Sequence, residues 1–585
     1  MNNTGLQEKK VVGREAKFIW HLGRPKNDNS GDDIHMVKEH VHYSDGTTEP
    51  RLAFIKNYKR DFYTTKIAAR NHEEKKEWEK LSNLNKYSCV QSDLLKSAAT
   101  ALDKKGFHGS IKQLCTSPYL YGTDIRSESL LKHDYMKRFP KAIGNNIVAV
   151  FDIETSMETN EIIMASICTN DKDYTVVGMD MLTEFNKRNN LSNKKSDIIN
   201  RLKETYIKYM DDYEENYLEK AKKWEIELVD TELECAANCF KIAHTWKPDF
   251  ISIWNIDFDI PKVLSVLEKN KVDPKFIFSD PAVPTQYKQF EYRKGDTQKV
   301  TASGVVNPVS IANQWHTVFS CSSFYLIDSM CVYKRLRLSD PEEASYKLDH
   351  IAEKELEITK LKFKEADGYK EGAWHSFMQE NYLYEYILYN LFDCKLVLKI
   401  DNKTKDLCYK ITKTAAITHL ENFDSLPRSL VNDLHFYCLE NDHVIGTTSS
   451  NLVTEIDKLM FGAKDWIVAL QAGLFVNSGL KLYADDFSID SNIYPDTGDL
   501  DVSAAYPTNG SVLNQSKETT CYAMISVDGI VETDVRNCAL NLSSGANNAV
   551  EICTTLFKAP ELYNVYVDYL EYRKEVQEEK LNCVL

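Results

Sequence analysis

Apolar positions along the chain fall into short runs separated by turn residues, and the sharpest runs set the first expectations. Residues 147–151 (IVAVF) are uninterrupted and largely β-branched or aromatic, which predicts a strand leading directly into Asp152. Residues 250–254 (FISIW) predict a second strand, followed by a helix over 260–271 with Pro261 at its first position. Residues 325–328 (YLID) predict another short strand. Upstream, residues 11–60 mix short alternating segments with turn clusters at 27–33 and 44–47. Residues 72–104, rich in Lys, Glu and Leu, predict helices, and so do residues 194–248. Charged pairs such as Glu219 with Lys223 mark a solvated face there. Residues 379–401 predict one long amphipathic helix. Beyond about residue 410 the pattern is mixed. Residues 472–476 and 500–506 predict a further β-containing unit, and 560–580 a charged helix.

At 585 residues the chain exceeds one ordinary core, so two to four domains are expected. A hydrophobic content of 43% with 27% charged residues describes a soluble globular protein. The net charge of −15 argues against a protein that coats duplex DNA non-specifically. It leaves room for a nucleic-acid enzyme, which needs acidic clusters to hold divalent ions. Of 14 cysteines, the closest pair, Cys235 and Cys239, has no second pair or histidine cluster to complete a zinc site. Reduced thiols in a cytoplasmic setting are the expectation. The N-terminal residues lack the apolar core of a signal peptide, and no run nears the roughly 20 apolar residues of a membrane span.

Three acidic motifs carry candidate chemistry. In FDIE (151–154), strand alternation points Asp152 and Glu154 to one face while Ile153 packs inward. Two carboxylates so placed suit a hard cation. Alone, the tetrapeptide is more often a strand ending in solvated acids. In WNIDFD (254–259), Asp259 could be a helix N-cap and Asp257 a turn residue. The functional alternative sets Asp259 beside metals and Asn255 beside a substrate strand. In YNLFD (389–393), Tyr389 and Asp393 share a helix face as i and i+4. Tyr389 can then hold a water while Asp393 binds a metal, although Tyr382, Tyr386 and Tyr389 also fit a buried stripe.

Taken in this order, the motifs resemble the three-part pattern of DEDDy proofreading exonucleases. The chain resembles the N-terminal part of a family B DNA polymerase, in particular the replicative enzymes of T-even-like bacteriophages. Residues 325–337 (YLIDSMCVYKRLR) and 346–356 (YKLDHIAEKEL) extend the similarity, which runs from about 40 to 520. The spacing from Asn255 to Asp259 is one residue shorter than in those phage enzymes. The resemblance implies an α+β multidomain fold. Its expected parts are a β-containing N-terminal domain (1–146), an RNase H-like α/β exonuclease domain (147–404), a return segment of the first domain (405–465), and a partial palm sheet with the start of a fingers helix (466–585). It implies two Mg²⁺ or Mn²⁺ ions held by Asp152, Glu154, Asp259 and Asp393, with Tyr389 orienting the attacking water. Asn255 and Phe258 would contact a single-stranded 3′ end.

DVSAAYP (501–507) resembles the first polymerase motif, with Ala504 and Ala505 in place of the usual Ser and Leu. By that resemblance Asp501 is a palm metal ligand and Tyr506 packs under the incoming sugar. Without its neighbours the segment would read as a strand–turn with an exposed Asp. No second palm carboxylate cluster and no lysine-bearing fingers motif follows Tyr506. By the resemblance polymerisation needs both, and one metal ligand cannot build a two-metal site. The expectation is therefore a split polymerase acting on primer–template DNA, completed by a separate C-terminal chain and placed in the host cytoplasm if phage-encoded. The alternatives are a stand-alone exonuclease with a vestigial palm, and a non-catalytic structural replisome subunit.

Overall fold

The first 60 residues are richer in strand than short alternating segments suggest. β1 (Val11–Gly23), β2 (Ile34–Tyr43) and β3 (Thr48–Lys56) pair as one antiparallel sheet. The β2–β3 turn closes at Gly46, whose φ of +82° favours a residue without a Cβ. The structure, a computed structural model, describes residues 9–25, 31–73, 75, 76, 78–300, 305–337, 341–411 and 435–446. Within them it is mixed α/β, with several sheets and helices.

Next along the chain come β4 (Arg60–Thr65), β5 (Trp78–Lys80), β6 (Leu84–Cys89), α1 (Leu94–Ala101), α2 (Ile111–Cys115), β7 (Leu120–Tyr121) and α3 (Ser127–Arg138). The helices expected over 72–104 shrink to α1, because β6 pairs with β4. Only its end residues Leu84 and Cys89 are buried, so a partner distant in sequence overrides the local Lys and Glu content.

A six-stranded sheet follows, made of β8 (Val148–Thr155), β9 (Ile162–Cys168), β10 (Asp173–Gly178), β11 (Glu225–Val229), β12 (Phe250–Ile253) and, later in the chain, a strand at Tyr325–Asp328. Between them lie α4 (Met179–Arg188), α5 (Lys195–Met210), α6 (Tyr217–Lys223), α7 (Glu232–Trp246) and α8 (Ile256–Lys269). The helical stretch expected over 194–248 is thus interrupted by β11, whose Leu228 and Val229 are buried while it pairs parallel to β10. The helix expected at 260 begins four residues earlier, and Pro261 lies inside it. The Asp328 carboxylate accepts the Ile256 N–H at 3.1 Å, satisfying one of the donors a helix start leaves free.

The chain continues through α9 (Lys275–Phe278), β13 (Phe290–Arg293), β14 (Gln298–Val300), β15 (Val306–Pro308), β16 (Thr317–Ser320), β17 (Tyr325–Asp328), α10 (Ser329–Arg335), α11 (Leu348–Leu356), α12 (Gly372–Asn381), α13 (Leu383–Thr404) and β18 (His443–Ile445). The single helix expected over 379–401 is two, broken at Tyr382. β18 pairs with β5. The large sheet runs β11–β10–β9–β8–β12–β17, with β9 antiparallel to both neighbours and the remaining pairs parallel.

Alternation along β8 sorts its side chains onto two faces. Ala149, Phe151 and Ile153 join the core under α7 and α8, while Val148 and Val150 join the one under α13. Asp152 and Glu154 continue that second face. The first sheet is locked to the strand entering β12 by Lys38, which is fully buried. Its ammonium donates to the carbonyls of Lys247, Pro248 and Ser323 and lies 3.5 Å from Asp249. No helix among the described residues is long and apolar enough to cross a membrane.

Candidate functional site

β8 carries Asp152 and Glu154 under α13, and the α13 face turned toward them is polar. Tyr386, Asn390 and Asp393 recur at helical spacing along that face. The Tyr386 hydroxyl donates to Glu154 Oε2 at 2.5 Å, and Asn390 Nδ2 donates to Asp152 Oδ2 at 2.7 Å. Carboxylate oxygens of Asp152, Glu154 and Asp393 lie within 4.8 Å of one another. Asp259, in the first turn of α8, joins them from below the strand, where its Oδ1 accepts the Ile153 N–H at 3.2 Å. Asp259 is therefore neither a helix cap nor a solvated acid, since only 4% of its surface is exposed.

This concentration of acid is under electrostatic strain. Burial, then the charges of Asp259, Glu154 and Asp393, push the Asp152 carboxyl well above its ordinary range. Burial pushes Glu154 up to about 7, against the Tyr386 hydrogen bond that pulls it down. Burial likewise pushes Asp259 up to about 8, opposed by the Ile153 N–H and reinforced by Glu154. Asp393 also lies above its ordinary value through burial, held back by Lys360.

Lys360 is the main residue that sequence reasoning did not find. Its ammonium lies 2.5 Å from Asp393 Oδ2 and 3.0 Å from the Tyr389 hydroxyl. It sits in the segment after α11, fastened by its backbone N–H to Asp349 Oδ1 at 2.9 Å. KLKF (360–363) has no local pattern that singles out one lysine. Tyr386 and Asn390 could have been found, because they share the helical face of Asp393. His375 and Gln379 come from α12. His375 Nδ1 lies 2.8 Å from the Tyr386 hydroxyl, and Gln379 Nε2 donates to the Thr155 carbonyl at 2.8 Å, tying α12 to the end of β8. Asp328 acts indirectly by fixing the start of α8 and hence Asp259. Burial pushes its carboxyl up to about 6, against the N–H groups it accepts.

Tyr389 is buried beside Lys360 with its ring 4.9 Å from Trp374. Burial and the Asp393 charge raise its pKa, so the phenol stays protonated. Asn255 stands at the N-cap of α8, with its side-chain oxygen buried and without a hydrogen-bond partner among the described residues. Phe258, in the first turn of α8, is 51% exposed. Of the expected site residues, Asp152, Glu154, Tyr389 and Asp393 gather between β8 and α13, and Asp259 meets them at β8 from α8. Asp501 and Tyr506 lie outside the described residues.

The donor set is all oxygen, and Asp393 Oδ1 is buried with no hydrogen-bond partner among the described residues. Crowded carboxylates with an open acceptor fit one or two hard divalent cations such as Mg²⁺ or Mn²⁺. A scan against protein-family models and a search of curated proteins give no match to the chain.

Proposed function

We propose that the chain is a divalent-metal-dependent 3′→5′ DNA exonuclease of the proofreading kind, within the N-terminal part of a family B DNA polymerase. The observation that carries this reading is the convergence of Asp152, Glu154, Asp259 and Asp393 beside Tyr389, from three segments far apart in sequence. A sheet whose one reversed strand lies beside the acidic strand also fits the RNase H-like domain that the resemblance implies.

The four carboxylates would hold the ions, Asp152 centrally. Bound divalent ions supply the positive charge that lowers the pKa of an attacking water and stabilises the departing 3′ oxygen. The chain does the rest by placement. Tyr389, kept neutral, orients the water by its hydroxyl and does not take the proton. Lys360 fixes that hydroxyl and one oxygen of Asp393 together. Exposed Phe258 offers a ring on which an unpaired base can stack, which suits a frayed single-stranded end of primer–template DNA.

The test is the pair Asp152→Ala with Glu154→Ala. The double variant keeps the circular dichroism of the parent and loses Mg²⁺-dependent trimming of an end-labelled single strand. Trimming at the parent rate would end the proposal. Primer extension is expected only when the chain is mixed with one carrying the remaining palm, fingers and thumb motifs.

A further inference from the structure

The first sheet carries a histidine pair that the exonuclease chemistry does not use. His21 on β1 and His35 on β2 stand directly opposite in the antiparallel register, with ring centroids 4.7 Å apart. Asp33, two residues before His35, shares its face by strand alternation. One ring nitrogen from each histidine and one Asp33 oxygen lie within 4.8 Å of one another. Asp33 and His35 are fully buried, whereas the His21 side chain keeps 19% exposure and leaves a route from solvent.

Hydrogen bonds around the cluster are already arranged as an outer shell. Asp33 Oδ2 accepts the Ser92 N–H at 2.8 Å, and Oδ1 faces His21 Nε2 at 2.5 Å. The Ser127 hydroxyl lies 3.1 Å from Glu128 Oε2 and 2.8 Å from His35 Nε2. His35 Nδ1 is buried and has no hydrogen-bond partner among the described residues, and with the ring proton on Nε2 facing Ser127 its lone pair is free. A neutral imidazole whose other N–H is held by a partner is the form that ligates metals.

We propose that His21, Asp33 and His35, the last through Nδ1, bind one transition-metal ion of the zinc class, pinning β1 to β2 and to the segment at Ser92. Two imidazoles and a carboxylate favour Zn²⁺, Co²⁺ or Ni²⁺ over Mg²⁺, in contrast to the all-oxygen set around Asp152. The fourth position opens to water on the His21 side. Tetrahedral coordination sets ligand atoms about 3.3 Å apart, so the His21–Asp33 contact opens by about 1 Å as the others draw in. The sequence hides this set, because the histidines become neighbours only through the β1–β2 register.

The full chain, stripped with chelator, is titrated with Co²⁺ in excess Mg²⁺ and followed by visible absorption. The expected result is one saturable ion with ligand-field bands and no intense thiolate charge-transfer band, which separates this site from the cysteines. His35→Asn and His21→Gln should each weaken that uptake by more than the ~10–100-fold that loss of an outer-shell partner costs. His21→Gln, at the exposed edge, keeps the test valid if His35→Asn misfolds. No saturable uptake by the parent, uptake through thiolates alone, or uptake unchanged in folded His21→Gln would each overturn the site.

Discussion

Asp152→Asn should give a protein that is inactive yet more stable without metal. The side chain keeps its shape, and its amide oxygen can still accept from Asn390 Nδ2. What it loses is a buried negative charge among carboxylates that lie within 4.8 Å. At an effective dielectric of about 20, two unit charges at that separation repel by about 3.5 kcal/mol. Shared protons and Lys360 absorb part of this, so the net gain at pH 8 in EDTA is on the order of 1–3 kcal/mol. The pH dependence follows from the same charges. Glu154 and Asp259 are raised to about 7 and about 8, so the folded chain retains protons that the unfolded chain has released. Their contribution to stability is complete below the ordinary carboxylate range and is lost as pH rises to about 8. The advantage of Asp152→Asn should therefore vanish near pH 4 and be full above pH 8. Added Mg²⁺ should reverse the order, because only the parent gains the binding term. Calorimetric or fluorescence melts of both proteins from pH 4 to 9, with EDTA or Mg²⁺, read this out. A variant less stable than the parent in EDTA at pH 8, with no difference in its Mg²⁺ response, would refute the reasoning.

Tyr389→Phe removes the hydroxyl that meets Lys360 at 3.0 Å, and should lower the trimming rate by about 10–100-fold while leaving the Mg²⁺ dependence unchanged. Single-turnover assays over a Mg²⁺ series check this. Lys360→Met removes the cation that holds Asp393 down, so the acidic limb of the pH–rate profile should move to higher pH along with a loss of rate. An unmoved limb would mean that Lys360 does not act on the carboxylates. Lys38→Met strands Asp249 and three carbonyls in a buried setting and should cost about 3–5 kcal/mol in urea unfolding, without moving the pH profile of trimming in whatever fraction remains folded.

How much of this was legible in the chain itself follows physical lines. Period-two alternation made Asp152 and Glu154 partners on one face of β8, and period 3.6 made Tyr389 and Asp393 partners on α13; both are properties of local backbone geometry and survive any tertiary arrangement. The core strands β8, β12 and β17 were visible as short, largely apolar runs. Tertiary partners decided the rest. The start of α8 depends on an Asp328 carboxylate 72 residues away in sequence, and β6 is a strand because β4 lies beside it. Lys360 reaches Asp393 across 33 positions, from a segment whose lysines look alike in sequence. Burial, which raises the carboxyl pKa values of the acidic cluster, exists only once sheet and helix close over it, because desolvation belongs to the packed molecule and to no residue alone.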